Sequence, residues 1–465
     1  MESTTTISQR LGERFSGDVI RPDDFRYSAA RALWNGMIDH RPELIARARD
    51  SADVATAILH AREAGLEIAV RCGGHSASGQ SMADGGMTID LSDMRTVSVA
   101  PEAAVARVRG GALLNDVGEA TMTRHALAMP FGHVSHTGVG GLTLGGGIGW
   151  VMRRYGLAID SLRSAEVVTA DGAIVRASDS ENPDLFWALR GGGGNFGVVT
   201  EFEFDLHPFG PEVLAGMLLY PLEEATDAMR FCRDFMDTAP DDLTTFETFM
   251  SAPPEAPFPV ELHGKPALSI GVVYAGPIAE GEEILRPLRE FGKPALDLVA
   301  PMPGLAVQQM LDPTAPHGVN YYNKAHWVDG LPDQAIDDQI RLHAEVPSPM
   351  SLIINARMGG AIERVPREAT AFGHRDANRQ VWVVSGWTEG AQDEQIDWCR
   401  RVHDAMTPYG HGVYVNALGD EGPDRVRASY ADDVWPRLVA AKRRWDPDNV
   451  FHLNANIPPE ARPAR

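Results

Sequence analysis

The chain has 465 residues, 44% hydrophobic and 23% charged, with a formal net charge of −22. That length exceeds one ordinary core and points to two or three domains, and the composition excludes a disordered chain. A surface this acidic repels nucleic-acid phosphate and anionic lipid, so neither is an expected partner.

In chain order, residues 51–65 (SADVATAILHAREAG) read as an amphipathic helix, with Ser51 or Asp53 as its cap and Gly65 as its end. A strand over 66–70 runs straight into the turn CGGHSASG. Short strands follow at 87–91, 97–99 and 104–108, then a helix over 111–126. Asp171-Gly172 between two apolar runs predicts a hairpin of 165–170 with 173–177. Residues 183–190 form a helix with Pro183 in its first turn, and a strand follows the glycine run after it. Beyond His207-Pro208, helical patterns fall near 222–237, 279–291, 332–344 and 391–406, with strands near 267–275, 351–358 and 380–388. Strands separated by helices suggest a sheet with helices on one side. Residues 424–445 read as one helix, and the tail after it is expected to return to the first domain.

Cys72, Cys232 and Cys399 are too few, and odd in number, for a disulfide framework, which fits a reducing compartment. The opening MESTTTISQRLGERF has no basic segment followed by an apolar run, and no stretch approaches ~18 apolar residues. A cytoplasmic protein without membrane contact is expected.

Three segments carry chemistry. In Arg71-Cys72-Gly73-Gly74-His75-Ser76 two glycines let a strand turn sharply, and successive N–H groups make a nest for phosphate. Ser76, Ser78 and Ser81 add hydroxyls; His75 by itself reads as a hydrogen-bonded loop histidine or as something more reactive. The second segment, 130–150, has glycines at 132, 138, 140, 141, 145, 146, 147 and 149. So many imply close backbone approach to something flat or anionic. Its His133 and His136 lack an evident third ligand, so no metal is expected. In the third segment, Gly192, Gly194 and Gly197 satisfy G-x-G-x-x-G, but a helix precedes the turn and a strand follows. That order is the reverse of a Rossmann site and excludes one.

Together RCGGHS, VGGLTLGGGIG, AEVVTADG, NPDLFWALRGGGGNFGVVTEFEF and DPDNVFHLNANI resemble, in order and spacing, the FAD-linked oxidases of the vanillyl-alcohol oxidase superfamily, berberine-bridge-enzyme-like branch. The resemblance covers about 40–205 and 410–460 and is loose over 207–410. It implies that His75 is joined to the flavin 8α-methyl carbon, a role that suits a largely neutral imidazole. Val134 stands where many members have a second, cysteinyl link, so a single link is expected, and Cys72 is read as structural. Thr137 takes the place of a residue near the flavin face that influences oxygen access. Val134 to Trp150 is also similar to the matching stretch of the enterocin-pathway oxygenase, whose flavin works as an N5-oxide. Tyr414, in Tyr414-Val415-Asn416, matches the family's base, with an aromatic at the domain seam as the other reading.

The fold expected is α+β: a two-part FAD-binding domain, 1–206 with 411–465, and an inserted substrate domain, 207–410, of antiparallel sheet covered by helices. Catalytic candidates are Tyr414 and Thr137. The expected flavin contacts are Arg71, Cys72, Gly73, Gly74, His75, Ser76 and Ser81, with the pyrophosphate in the 71–76 turn. Further contacts are Val134, Thr137, Gly138, Gly140, Gly141, Gly145, Gly147 and Gly149. Gly197, Val198, Asn454 and Asn456 complete the set. Trp150, Tyr155, Tyr321, Tyr322, His326, Trp327 and Trp387 are pocket or core. Three activities follow: an oxidase or dehydrogenase passing hydride from a small molecule to the flavin and electrons to oxygen; a flavin-N5-oxide monooxygenase; and a flavin-binding protein without turnover.

Overall fold

The structure, a computed structural model, describes residues 11, 14–419 and 421–459. The extreme ends of the expected FAD-binding domain therefore lie outside the described residues. A first sheet of four strands has the spatial order Asp18–Ile20, Leu44–Arg47, Met87–Asp90, Ile68–Arg71. Its last three strands are parallel, which requires a crossover, and the helix Ser51–Ala64 supplies it. Asp50 caps that helix by accepting from the Asp53 N–H at 2.9 Å, one residue earlier than the sequence suggested. The Asp53 carboxylate is occupied elsewhere, by Ser16 and the Arg49 N–H. Gly65 ends the helix at φ 67°, where an L-residue would be strained.

A second, antiparallel sheet runs Val97–Ala100, Val105–Arg109, Val198–Asp205, Leu162–Val168, Ile174–Ser178. It includes the hairpin at Asp171-Gly172. The third sheet has nine strands, six of them long: Glu212–Pro221, Pro266–Tyr274, Leu243–Ser251, Leu352–Arg357, Arg379–Trp387 and Asn320–Val328, in that spatial order and all antiparallel. Side chains alternate between its two faces. One face, with Leu268, Ile270, Phe249, Ile353 and Val381, packs under the helices Ala225–Met236, Ile278–Glu290, Asp333–His343 and Gln392–Met406. The other, with Phe246, Ala356 and Trp327, joins the core built by residues 106–206 and 413–457. Among the described residues no helix is long and apolar enough to cross a membrane.

The single helix expected over 424–445 is two, Pro423–Ala428 and Trp435–Trp445. Pro436 explains the break: it has no N–H to donate and its ring clashes with the preceding turn, so it fits only where a helix starts. The second helix anchors the tail. Buried Lys442 Nζ donates to Asp446 at 2.7 Å and to the Asn195 and Phe451 carbonyls at 2.9 Å each. Asn195 returns the contact, donating to the Ala455 carbonyl at 3.0 Å and accepting from the Ile457 N–H at 2.9 Å.

The helix-covered face holds one buried ion pair, Arg379 Nη1 to Glu247 Oε2 at 2.7 Å, with side-chain exposures of 1% and 0%. Thr245 and Cys232 also donate to this carboxylate. Removing one partner strands a buried charge. Arg379→Met is expected to cost about 3–5 kcal/mol, read as a lowered urea midpoint.

Candidate functional site

A cavity of about 750 Å³ lies where the two smaller sheets meet the free face of the large one. Its floor is the 71–76 turn and the 137–141 segment, which interlock. A Cβ on Gly73 would sit 2.4 Å from the Gly138 nitrogen, and one on Gly138 would sit 2.4 Å from the Gly73 nitrogen. Only two facing glycines allow that approach. The cavity side is open: a Cβ at Gly141 would meet no protein atom within 4 Å, and one at Gly194 none nearer than 3.6 Å. Two buried polar atoms there, Ser81 Oγ and Asn454 Oδ1, have no partner among the described residues. A bare backbone floor with unpaired polar edges fits a long, partly flat, partly polar group, as FAD is. Gly141→Val would grow a side chain into this space. About tenfold lower FAD occupancy is expected, read as the flavin-to-protein absorbance ratio.

Most of the residues expected from the sequence line this cavity. Cys72, Gly73, Gly74, His75, Ser76 and Ser81 do so from the first turn. Val134, Thr137, Gly138, Gly140 and Gly141 do so from the second segment, and Gly197, Val198, Asn454 and Tyr414 from elsewhere. Arg71, Gly145, Gly147, Gly149 and Asn456 are not in the wall. The Arg71 guanidinium binds the Ala30 carbonyl instead. Gly145 makes room for Asn416, and Gly149 for the Phe131 carbonyl. Burial pushes the Cys72 thiol up to about 11 and its Sγ donates to the Ala112 carbonyl, so it is an inert neutral thiol.

His75 stacks on Trp34, ring centroids 4.6 Å apart, and Trp34 stacks on Tyr321 at 3.8 Å. The His75 Nε2 lies 2.8 Å from His136 Nδ1, and among the described residues the His75 Nδ1 has no hydrogen-bond partner. Burial, then the nearby His136 and His317, hold His75 well below the ordinary histidine range, so its imidazole is neutral. His75, His136 and His317 also have metal-ligand spacing, their ligand atoms within 4.8 Å of one another. No carboxylate belongs to that group, and the expectation of no metal considered only His133 and His136.

Tyr414 is 4% exposed. Its phenol oxygen accepts from the Gly147 N–H at 3.0 Å and from Asn416 Nδ2 at 2.9 Å. Burial raises its pKa above 10.0, while these two donors, which favour the anion, oppose the rise. Of the aromatic candidates only Trp150 and Tyr321 line the cavity. Tyr155 stacks on His207, His326 stacks on His403, and Trp327 backs Tyr414 at 5.9 Å. Tyr322 packs against the helix side of the sheet. Trp387 is buried at the end of its strand, away from the wall.

Sequence reading missed Trp34, His317 and the cavity face of the large sheet: Phe246, Asn323, Gln380 and Trp382. They come from stretches without motif residues, and strand pairing sets Phe246, Asn323, Gln380 and Trp382 on one sheet.

The family described as FAD binding domain matches residues 42–178, and that described as berberine and berberine like matches residues 413–458. The chain is 31% identical to the (R)-6-hydroxynicotine oxidase of Paenarthrobacter nicotinovorans, over 98% of this chain and all of that one. It is 29% identical to an FAD-linked oxidoreductase of Dictyostelium discoideum, over 98% of this chain and 97% of the other. The crystal structure of 6-hydroxy-D-nicotine oxidase from Arthrobacter nicotinovorans superposes with a TM-score of 0.85 at 29% identity, covering 96% of this chain and 98% of that one.

Proposed function

Because the chain belongs to the FAD-linked oxidoreductases of the vanillyl-alcohol oxidase superfamily, berberine-bridge-like branch, we propose that it is an oxidase that holds FAD through one covalent bond to His75. Residues 1–206 with 411–465 form the cofactor domain in this reading, and 207–410 form the substrate domain. Bound FAD supplies the hydride acceptor and passes the electrons on to oxygen. The observation that carries the reading is the convergence of the glycine floor, His75 and Tyr414 on one cavity.

His75 would hold FAD through Nδ1, because Nε2 already faces His136; the link would replace an 8α-methyl C–H bond, whose proton would leave and whose electron pair would reduce the flavin until oxygen reoxidised it. For Nδ1 to be the nucleophile, Nε2 must carry the ring proton, and His136 Nδ1 accepts it as the bond forms. Val134 has no sulfur to make a second link. The glycine floor with Ser76 and Ser81 holds the phosphate-bearing part, and Trp34 fixes the His75 ring. Tyr414 works as the phenolate and takes the substrate hydroxyl or N–H proton, with the Gly147 N–H and Asn416 stabilising that anion before the proton arrives. Thr137, in the wall beside Val134, limits how oxygen reaches the site.

Relatives are named as oxidases of 6-hydroxynicotine and of xylooligosaccharides, so the proposed substrate is a small organic molecule with an oxidisable C–H next to a heteroatom. The test is stoichiometry. One hydrogen peroxide released per product formed supports the oxidase. Atoms from labelled oxygen gas in the product would replace it with an oxygenase.

A further inference from the structure

The free face of the large sheet forms the cavity roof, and its chemistry is selective. Asn323, Gln380 and Trp382 come from the neighbouring strands Asn320–Val328 and Arg379–Trp387. In the register Trp382 pairs with Ala325 and Gln380 with Trp327, and Trp327 backs Tyr414. Cross-strand partners share a face, so these polar groups form a row that ends beside the phenol. Asn323 and Gln380 are each 3% exposed. Among the described residues, Asn323 Oδ1, Gln380 Nε2 and Trp382 Nε1 have no hydrogen-bond partner, and all three residues line the cavity.

Buried polar groups are costly when unpaired, so a row of three aimed into one cavity needs a ligand to satisfy it. Trp382 can only donate, so the ligand offers it an acceptor. The two side-chain amides each take either a donor or an acceptor. The rest of the roof is mostly apolar, with Phe246, Met217, Met250 and Ile354 around the hydroxyls of Thr248 and Ser269. Charge is nearly absent: among the described residues no arginine, lysine or aspartate lines the cavity, and Glu255 stands exposed at its mouth. His133 is held neutral, since burial pushes it down to about 4.

We propose that Asn323, Gln380 and Trp382 are the specificity row for an uncharged, ring-sized substrate that carries carbonyl or hydroxyl oxygen, and that this row excludes carboxylates and phosphates. The inference rests on the oxidase reading above for the identity of the site. A charged group would enter a mostly apolar roof with no countercharge, whereas a neutral oxygen pairs with donors already in place.

The experiment uses the purified yellow holoprotein and follows the flavin difference spectrum as naphthol, naphthoate and naphthalene are titrated in. Naphthol is expected to bind at least tenfold tighter than naphthoate. Gln380→Leu and Trp382→Phe are each expected to weaken naphthol about tenfold, the size of one lost buried hydrogen bond, and to leave naphthalene unchanged. Flavin content and melting temperature of both variants identify any folding defect, and an Asn323→Leu variant gives a third reading of the same row. Naphthoate binding as tightly as naphthol, no response to naphthol, or unchanged naphthol affinity in the variants overturns the proposal. A protein purified without flavin would instead overturn the oxidase reading, so the two failures are distinguishable.

Discussion

Tyr414→Phe is expected to slow anaerobic flavin reduction by about 10²–10⁴-fold, the usual contribution of a general base, with the flavin still bound. The phenylalanine keeps the ring between Trp327 and Phe372 and loses only the oxygen that Gly147 and Asn416 donate to. The sign of the pH dependence follows from the burial. A base works deprotonated, and burial raises this phenol above 10.0, so the wild-type rate climbs with pH on an alkaline limb above the ordinary tyrosine value. The variant's rate should be flat over that limb. A variant that keeps both the rate and the limb would return Tyr414 to the aromatic seam reading.

His75→Ala is expected to abolish covalent flavinylation: after acid denaturation all yellow colour moves to the supernatant, whereas the wild type keeps it on the chain. Mapping the wild-type flavopeptide should find one FAD on the peptide containing His75 and none on Cys72, whose thiol is neutral. His136→Ala separates the roles within the pair. If His136 accepts the Nε2 proton, its loss slows attachment while FAD still binds, so the covalent fraction rises slowly on incubation with added FAD. Colour retained by the His75→Ala chain after acid would refute the link.

Much of this site was legible because glycine is informative. Gly73 and Gly138 are where they are because two backbones touch, and that demand shows in the amino-acid sequence itself as a motif. The hairpin at Asp171-Gly172 and the helix end at Gly65 were readable for the same reason. The large sheet was harder. The strand Glu212–Pro221 is buried on both faces, so its sequence, EVLAGMLLYP, shows no alternation to mark it as a strand. Leu243–Ser251 and Asn320–Val328 mix polar and aromatic residues because one face meets the cavity, which blurs the same signal. Gln380 and Trp382 carry no motif, since their meaning comes from side-chain nitrogens that have no hydrogen-bond partner among the described residues. His317 joins His75 across more than two hundred residues, and no spacing rule could pair them.

The clasp between Lys442, Asn195 and the tail has a consequence for how the protein is made. Asn195 meets Lys442 at a separation of 247 residues and Ile457 at 262. The ribosome delivers the chain from its N-terminus, so the glycine turn before Asn195 emerges long before the residues that brace it. Contacts of such range form late, after everything between them has been synthesised. The flavin cradle is thus finished only after residue 457 has been synthesised. A ribosome stalled after residue 410 would present the turn with His75 and most of the floor, yet without Tyr414, Asn454 and the clasp behind them. Cofactor capture thus reads out whether the segment from Tyr414 to Ile457 has been made, and a product cut at residue 410 is expected to stay colourless.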